Sequence, residues 1–150
     1  MLGTSNKIRR PEWPSWIVKP HNVPLPTLEP PAEDCIRVTA GVRDPNGLNA
    51  KIDVVDLAKS RFFTIVDIKD GEVVKEDIVK NEASSMPRTA LVVAYWLVEI
   101  GTSITLASGY CHNMSYFLDQ AGVTRLICEE KLTVLECLRK YKLLKDSTST

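Results

Sequence analysis

The sequence lacks the features that mark several common classes of protein. Its nineteen basic and nineteen acidic residues cancel, so the composition gives no excess charge that would attract nucleic acid or an anionic membrane. The longest apolar run, residues 90–98, has nine residues, whereas a membrane-spanning helix needs about 20. The sequence also contains no glycine-rich phosphate loop and no nucleophile elbow. We therefore expect neither nucleic acid nor a membrane as a partner.

Cysteine is scarce, and its spacing is unlike that of a metal knuckle. No two cysteines are three positions apart, as they would be in a Cys-x-x-Cys motif. No secretory leader is recognisable ahead of them, so we expect reduced thiols in a cytoplasmic protein. The four cysteines are Cys35, Cys111, Cys128 and Cys137.

Proline is concentrated at one end of the chain. Seven of the nine prolines lie in the first 34 residues, where no helix or strand periodicity survives. We therefore divide the sequence into an extended or disordered N-terminal arm (1–34), a single α/β domain (35–145) and a polar tail (146–150). Trp13 and Trp16 are unusual in a solvated arm. The sequence alone leaves open whether the arm is docked or is a mobile extension.

Periodic segments begin near residue 35. The Asp70-Gly71 pair predicts a tight type I′ hairpin between the second and third strands. Ser84 and Ser85 are candidate caps for a helix over residues 86–100, which is apolar on all sides and should be buried under the sheet or in a subunit contact. The predicted strands are 35–41, 61–68, 72–79, 103–108 and 124–128. A second helix is predicted to end at Gly122, and a third is predicted to begin near Val134.

The order of these elements predicts the fold class. A hairpin followed by strand–helix–strand units with right-handed crossovers gives an α/β fold in which three helices flank a mixed five-stranded sheet. The expected strand order is 3-2-1-4-5, with strand 2 antiparallel to its neighbours. This is the ribonuclease-H-like arrangement.

Three stretches carry a resemblance to a known family. They are residues 47–49 (GLN), residues 57–67 (LAKSRFFTIVD), and Gly109 leading into residues 113–123 (NMSYFLDQAGV). Together they resemble the dinitrogenase iron-molybdenum cofactor biosynthesis family, which includes NifX and the C-terminal domain of NifB. The resemblance covers residues 35–144. It implies a ribonuclease-H-like fold and the binding or carrying of an iron–sulfur–molybdenum cluster or its precursor.

The turn over residues 108–113 (SGYCHN) is the strongest candidate for chemistry. It lies where the fourth strand meets a helix, at the edge expected to hold the carboxyl ends of the parallel strands and the positive ends of the helices. Such an edge suits an anion, so we predict a site formed by residues 41–60 and 108–113. The candidate ligand-binding residues are Arg43, Ser85, Gly109 and Asn113, and the candidate metal ligands are Cys111, His112 and Cys128.

Three functions stay open from the residues alone. The leading hypothesis is a non-enzymatic binding or carrier protein for an iron–sulfur(-molybdenum) cluster or another small anion. The second is an interaction or scaffold module, with a protein partner or as a homo-oligomer, that uses helix 86–100 or the tryptophan arm. The third, a metal-dependent nuclease, is disfavoured because Asp53, Asp56 and Asp67 suit surface or turn positions better than a metal cage. For Cys111 and Cys128, a simple packing role competes with metal ligation.

Overall fold

A computed structural model describes residues 9–145 of the chain. The strands and helices follow one another in the predicted order, and two short 3-10 turns, at Gly47–Asn49 and Leu57–Lys59, lie between the first two strands. In chain order they are β1 (Ile36–Val42), β2 (Phe62–Lys69), β3 (Glu72–Lys80), α1 (Thr89–Glu99), β4 (Ile104–Ala107), α2 (His112–Ala121), β5 (Thr124–Ile127) and α3 (Val134–Lys140). Within the described range, no helix is long and apolar enough to cross a membrane.

The five strands form one mixed sheet in the order β3-β2-β1-β4-β5. Strand β2 is antiparallel to both neighbours, while β1, β4 and β5 are parallel. Asp70 and Gly71 both adopt positive φ angles, 52° and 78°, as a type I′ hairpin turn requires. The predicted ribonuclease-H-like α/β order is therefore confirmed.

Two apolar layers cover the two faces of the sheet. The α1–α2 layer packs helices α1 and α2 on one face around Phe63 and Ile65, and the α3 layer packs the last helix on the other face around Val38 and Leu106. Successive strand residues point to opposite faces, so each strand contributes to both layers. This division decides which cysteines can meet.

Helix α1 begins later than the sequence predicts. It starts at Thr89 rather than at residue 86, because Arg88 is left-handed (φ 57°) and Pro87 disfavours a helical conformation at the residue before it. The preceding turns are held by the Asn81 side-chain amide, which donates to the carbonyl oxygens of Ala58 (2.9 Å) and Ser60 (2.8 Å). The predicted serine cap is therefore wrong, and position 88 carries no side-chain cap.

The described part of the arm, residues 9–34, crosses the outer side of α1 without forming a helix or strand. The Trp13 ring packs against Tyr95 and Phe117, with ring centroids 5.2 and 6.0 Å apart. The Trp96 indole N–H donates to the Pro26 carbonyl oxygen (2.8 Å). Helix α1 is thus apolar all round because the sheet covers one side and the arm the other. The predicted tail, residues 146–150, lies outside the described residues.

Two carboxylates that the sequence assigns to surface or turn positions are buried. Asp67 accepts two hydrogen bonds from the fully buried Arg37 guanidinium, at 2.7 and 2.9 Å. Asp53 is also fully buried, and it accepts from the backbone N–H groups of Val54 (2.7 Å) and Arg61 (3.0 Å). Asp53 lies in a loop, as expected, but neither aspartate is at the surface, because each has internal donors that replace water.

Candidate anion site at the carboxyl edge of the sheet

Strands β1, β3, β4 and β5 run in one direction and end at the same edge, which we call the carboxyl edge. Each helix follows one of these strands, so α1, α2 and α3 all begin at this edge. In open α/β sheets such an edge is the usual place for a ligand. The fold therefore places the predicted turn 108–113 in a favourable position.

The gap between β1 and β4 at the carboxyl edge is filled by the chain itself. The Asp53 N–H donates to the Gly41 carbonyl at the end of β1 (3.0 Å). The Ser108 hydroxyl donates to the Asp53 carbonyl (2.7 Å), and the Leu57 N–H donates to the Gly109 carbonyl (3.0 Å). Because this loop occupies the crevice, a ligand has to dock beside it.

The four predicted ligand-binding residues do not share one pocket. Arg43 is exposed, and its backbone pairs with Lys51, which bridges to Thr133 just before α3. Gly109 and Asn113 lie at the start of α2, where a β-carbon placed on the glycine would meet no heavy atom within 4 Å. Ser85 is exposed in the turns before α1. Three of the four thus lie near the starts of α1 and α2, and Arg43 lies on the α3 side.

The three predicted metal ligands are also separated. Cys111 is half-buried against the α1–α2 layer, and the neighbouring His112 is exposed. Cys128 is fully buried in the α3 layer, where a hydrogen bond from the Cys137 thiol lowers the pKa of Cys128. Among residues 9–145, no three His, Cys, Asp or Glu side chains come together in a metal-binding group. The donor set present does not fit a resident metal ion.

The burial of the thiols predicts their reactivity. Cys111 is the only partly exposed cysteine of the four, so we expect one fast-reacting thiol in the folded protein and four after unfolding. Burial also raises the pKa of Cys35, which slows its reaction further. A thiol-reactive dye followed by absorbance checks this count, with Cys111→Ser as the control that removes the fast phase. A second fast thiol in that variant would contradict the assignment.

The starts of α1 and α2 lack the usual stabilising groups. Neither helix has a side-chain cap or an acidic residue in its first turn. Helix α3 differs, because Thr133 and Glu136 form a complete capping box there. The free N–H groups and positive dipole ends of α1 and α2 are therefore left for solvent or a ligand.

Two cations add to the positive end of α1. The Lys59 ammonium donates to the Ser84 carbonyl (3.0 Å) and to the hydroxyl of Thr89 (3.4 Å), the first residue of the helix. The second cation, Arg88, immediately precedes Thr89 and is exposed. Cations are favourable at the C-terminus of a helix and unfavourable at its N-terminus, so this arrangement has an unmet preference for an anion.

A pocket of about 270 Å³ lies between the two helix starts, and we call it the α1–α2 pocket. Arg88 and Asn113 provide its polar groups, and the rest of the lining is apolar. The apolar residues are Ile17, Val18, Ala90, Leu91 and Phe117. Asn113 was predicted from sequence, whereas Arg88 and the arm residues were missed. The Met86-Pro87 pair in the sequence indicates that the helix begins after the proline, and this would have placed Arg88 at the helix start.

Tyr110 fixes the turn that leads into α2. Its hydroxyl lies 2.8 Å from the Leu126 carbonyl oxygen and accepts from the Leu126 N–H at 3.2 Å, which ties the turn to β5. The Arg125 guanidinium lies 5.5 Å from the centre of the same ring. Burial raises the pKa of Tyr110 far above its usual value, so the phenol stays protonated and the turn keeps its shape.

Comparison with known proteins supports the fold. No family model matches the chain, and a search of curated proteins finds no significant match. Among solved structures, the chain is similar to the apo form of the orange protein from Desulfovibrio gigas, with 20% identity over 70% of this chain and 85% of that one and a TM-score of 0.62. It is also similar to a putative NifB protein from Thermotoga that belongs to the DUF35 family, with 23% identity over 77% and 99% of the two chains and a TM-score of 0.58. At these low identities the structural similarity shows a shared fold alone, and this fold agrees with the one that the family resemblance implies.

Proposed function

We propose that this chain is a non-enzymatic binding or carrier protein for a small anionic ligand that docks at the starts of α1 and α2. The observation that carries the proposal is the positive start of α1, where Lys59 and Arg88 stand without any acidic residue in the first turn. An anion in the α1–α2 pocket would supply there the negative charge that Glu136 supplies to α3.

The iron–sulfur or iron–molybdenum cluster of the resembled family is the named candidate cargo. Such clusters are anionic, and one of the proteins of similar structure is a putative NifB protein. Cys111 and His112 stand next to the proposed site, at the start of α2. Cys128 is buried in the α3 layer and cannot join them. Positive charge and backbone N–H groups, rather than a complete set of side-chain ligands, would therefore hold the cargo.

The nuclease alternative receives no support from the geometry. Asp53 and Asp67 are the carboxylates that it would need at a metal site. Each oxygen of both carboxylates already accepts a hydrogen bond from an internal donor, from backbone N–H groups in Asp53 and from Arg37 in Asp67. A metal ion would have to displace these partners.

Titration with molybdate and with phosphate, followed by calorimetry, tests the anion site. We expect Arg88→Glu and Lys59→Glu each to weaken binding about tenfold or more, because each variant replaces a positive charge at the start of α1 with a negative one. The matched control is Arg139→Glu, which reverses the charge of an exposed residue in the last turn of α3. Arg43→Glu should also have little effect, because Arg43 lies on the α3 side of the edge. No binding, or equal losses in all four variants, would refute the site.

Anaerobic reconstitution with iron and sulfide tests the cargo separately. We expect the protein to retain metal in stoichiometric amount, and to lose most of it in the Arg88→Glu and Cys111→Ser variants. If no metal is retained while molybdate still binds at Arg88, the cluster is the wrong cargo and the anion site stands.

A further inference from the structure

Apolar side chains form most of the lining of the α1–α2 pocket. Leu91 lines it from α1, Phe117 from α2, and Ile17 and Val18 from the arm. A bare inorganic anion would contact only the polar groups of the pocket. The apolar part of the lining would then stay in contact with water, which is unfavourable. The lining therefore suits a ligand that has an apolar body as well as a charge.

The volume of the pocket indicates the size of that body. An apolar cavity of about 150 Å³ is sufficient to hold benzene. The α1–α2 pocket measures about 270 Å³, which leaves room for a second fused ring. Small-molecule sites in proteins usually have a mostly apolar lining and a few polar groups that fix the orientation of the ligand. The α1–α2 pocket follows this pattern.

A second pocket of about 280 Å³, which we call the arm pocket, lies beside the first. The two pockets share Val18, Arg88 and Leu91, so Arg88 borders both of them. Lys19 and His21 add two basic side chains to the arm pocket. Among the described residues, neither lining contains an aspartate or a glutamate. The boundary between the pockets therefore favours a negative charge, although the whole chain has no net charge.

These features together define how a ligand would be oriented. Its apolar body would contact Phe117 and Leu91 in the α1–α2 pocket, and its anionic group would lie toward Arg88 at the boundary with the arm pocket. An apolar body in this place would also displace water from around the charged groups. Because electrostatic attraction is stronger where the dielectric constant is lower, the body would strengthen the contact with Arg88.

We propose that the α1–α2 pocket binds organic anions with an aromatic body, such as an aryl phosphate, in preference to inorganic anions. The inference rests on the proposed function and narrows it, because it names the chemical class of the anion that the site prefers. Inorganic and organic anions would both use Arg88. They differ in whether the apolar lining is covered.

Calorimetric titration of the full chain with 1-naphthyl phosphate and with methyl phosphate tests this preference. The two probes carry the same phosphate group and differ in the organic body. We expect 1-naphthyl phosphate to bind about tenfold or more tightly, because only its rings cover the apolar lining. Arg88→Glu should weaken the binding of both probes. The uncharged 1-naphthol should bind about tenfold or more weakly than 1-naphthyl phosphate, because it lacks the anionic group.

A substitution in the arm tests the position of the rings. Val18→Ser removes apolar surface that both pockets share, so it should reduce the preference for 1-naphthyl phosphate about threefold or more. Val18 is 61% exposed, and circular dichroism checks that the variant folds. The matched control is Val54→Ser, at a valine that is 50% exposed and lines neither pocket. This control should leave the preference unchanged.

The outcomes separate this inference from the proposed function. If 1-naphthyl phosphate binds no more tightly than methyl phosphate while molybdate still binds, the inference is overturned and the anion site stands. If molybdate and both phosphates fail to bind, the proposed function fails as well. Binding of 1-naphthyl phosphate that Arg88→Glu does not weaken, or that 1-naphthol equals, would also overturn the inference.

Discussion

Replacing Asp67 with alanine is expected to lower the free energy of unfolding by about 3–5 kcal/mol. The change leaves the Arg37 guanidinium fully buried without a counter-charge. Arg37 also donates to the carbonyl oxygens of Ile100 (2.6 Å) and Glu29 (2.8 Å), so the same loss weakens the contact between the sheet, the end of α1 and the arm. Urea denaturation followed by circular dichroism measures the effect.

A second aspartate–arginine pair provides the matched control. Asp119 and Arg125 also form two hydrogen bonds, both of 2.9 Å, but their side chains are 53% and 31% exposed. Asp119→Ala should therefore cost no more than about 1 kcal/mol. Equal losses in the two variants would show that burial does not set the strength of the Arg37–Asp67 pair.

Replacing Trp13 with alanine is expected to cost about 2–3 kcal/mol, somewhat less than the 3–5 kcal/mol typical of a fully buried tryptophan. The side chain is half-buried between Tyr95 and Phe117, so its removal exposes the outer side of α1. Trp16 is the control within the same arm. It is 67% exposed, and its replacement by alanine should change stability by no more than about 0.5 kcal/mol.

Denaturant titration of the two tryptophan variants separates a docked arm from a loose one. If Trp13→Ala and Trp16→Ala are equally mild, the arm does not contribute to stability. The domain that begins at residue 35 would then account for the stability of the protein without the arm. If the Trp13 variant alone is destabilised, the arm is part of the folded unit.

Local rules were sufficient for much of the fold. The Asp70-Gly71 turn and the glycine that ends α2 depend only on backbone preferences, and these preferences are visible in a few neighbouring residues. The strand order followed from connection lengths and the handedness of crossovers. Such rules act over short distances along the chain, so a single sequence is enough to apply them.

Contacts between residues that are far apart in the chain cannot be predicted from such local rules. Arg37 and Asp67 are 30 positions apart, and nothing in either neighbourhood indicates that the two will pair. The separation of Cys111 from Cys128 has a similar cause. Both follow a strand at the carboxyl edge, but the sequence pattern does not determine toward which face of the sheet each side chain turns. The start of α1 differs from the prediction because Pro87, which follows the two serines, disfavours a helical conformation before it and moves the first helical residue to Thr89.

An anion bound at the uncapped starts of α1 and α2 is the central proposal, and amide chemical shifts test it most directly. During a molybdate titration of the full chain, followed by nuclear magnetic resonance, we expect the largest shifts at residues 89–91 and 112–114. The amides at the capped start of α3 should stay nearly unchanged, because Thr133 and Glu136 already satisfy that end. Shifts centred on α3 or Arg43, or the absence of any response from the amides at either uncapped helix start, would contradict the proposed site.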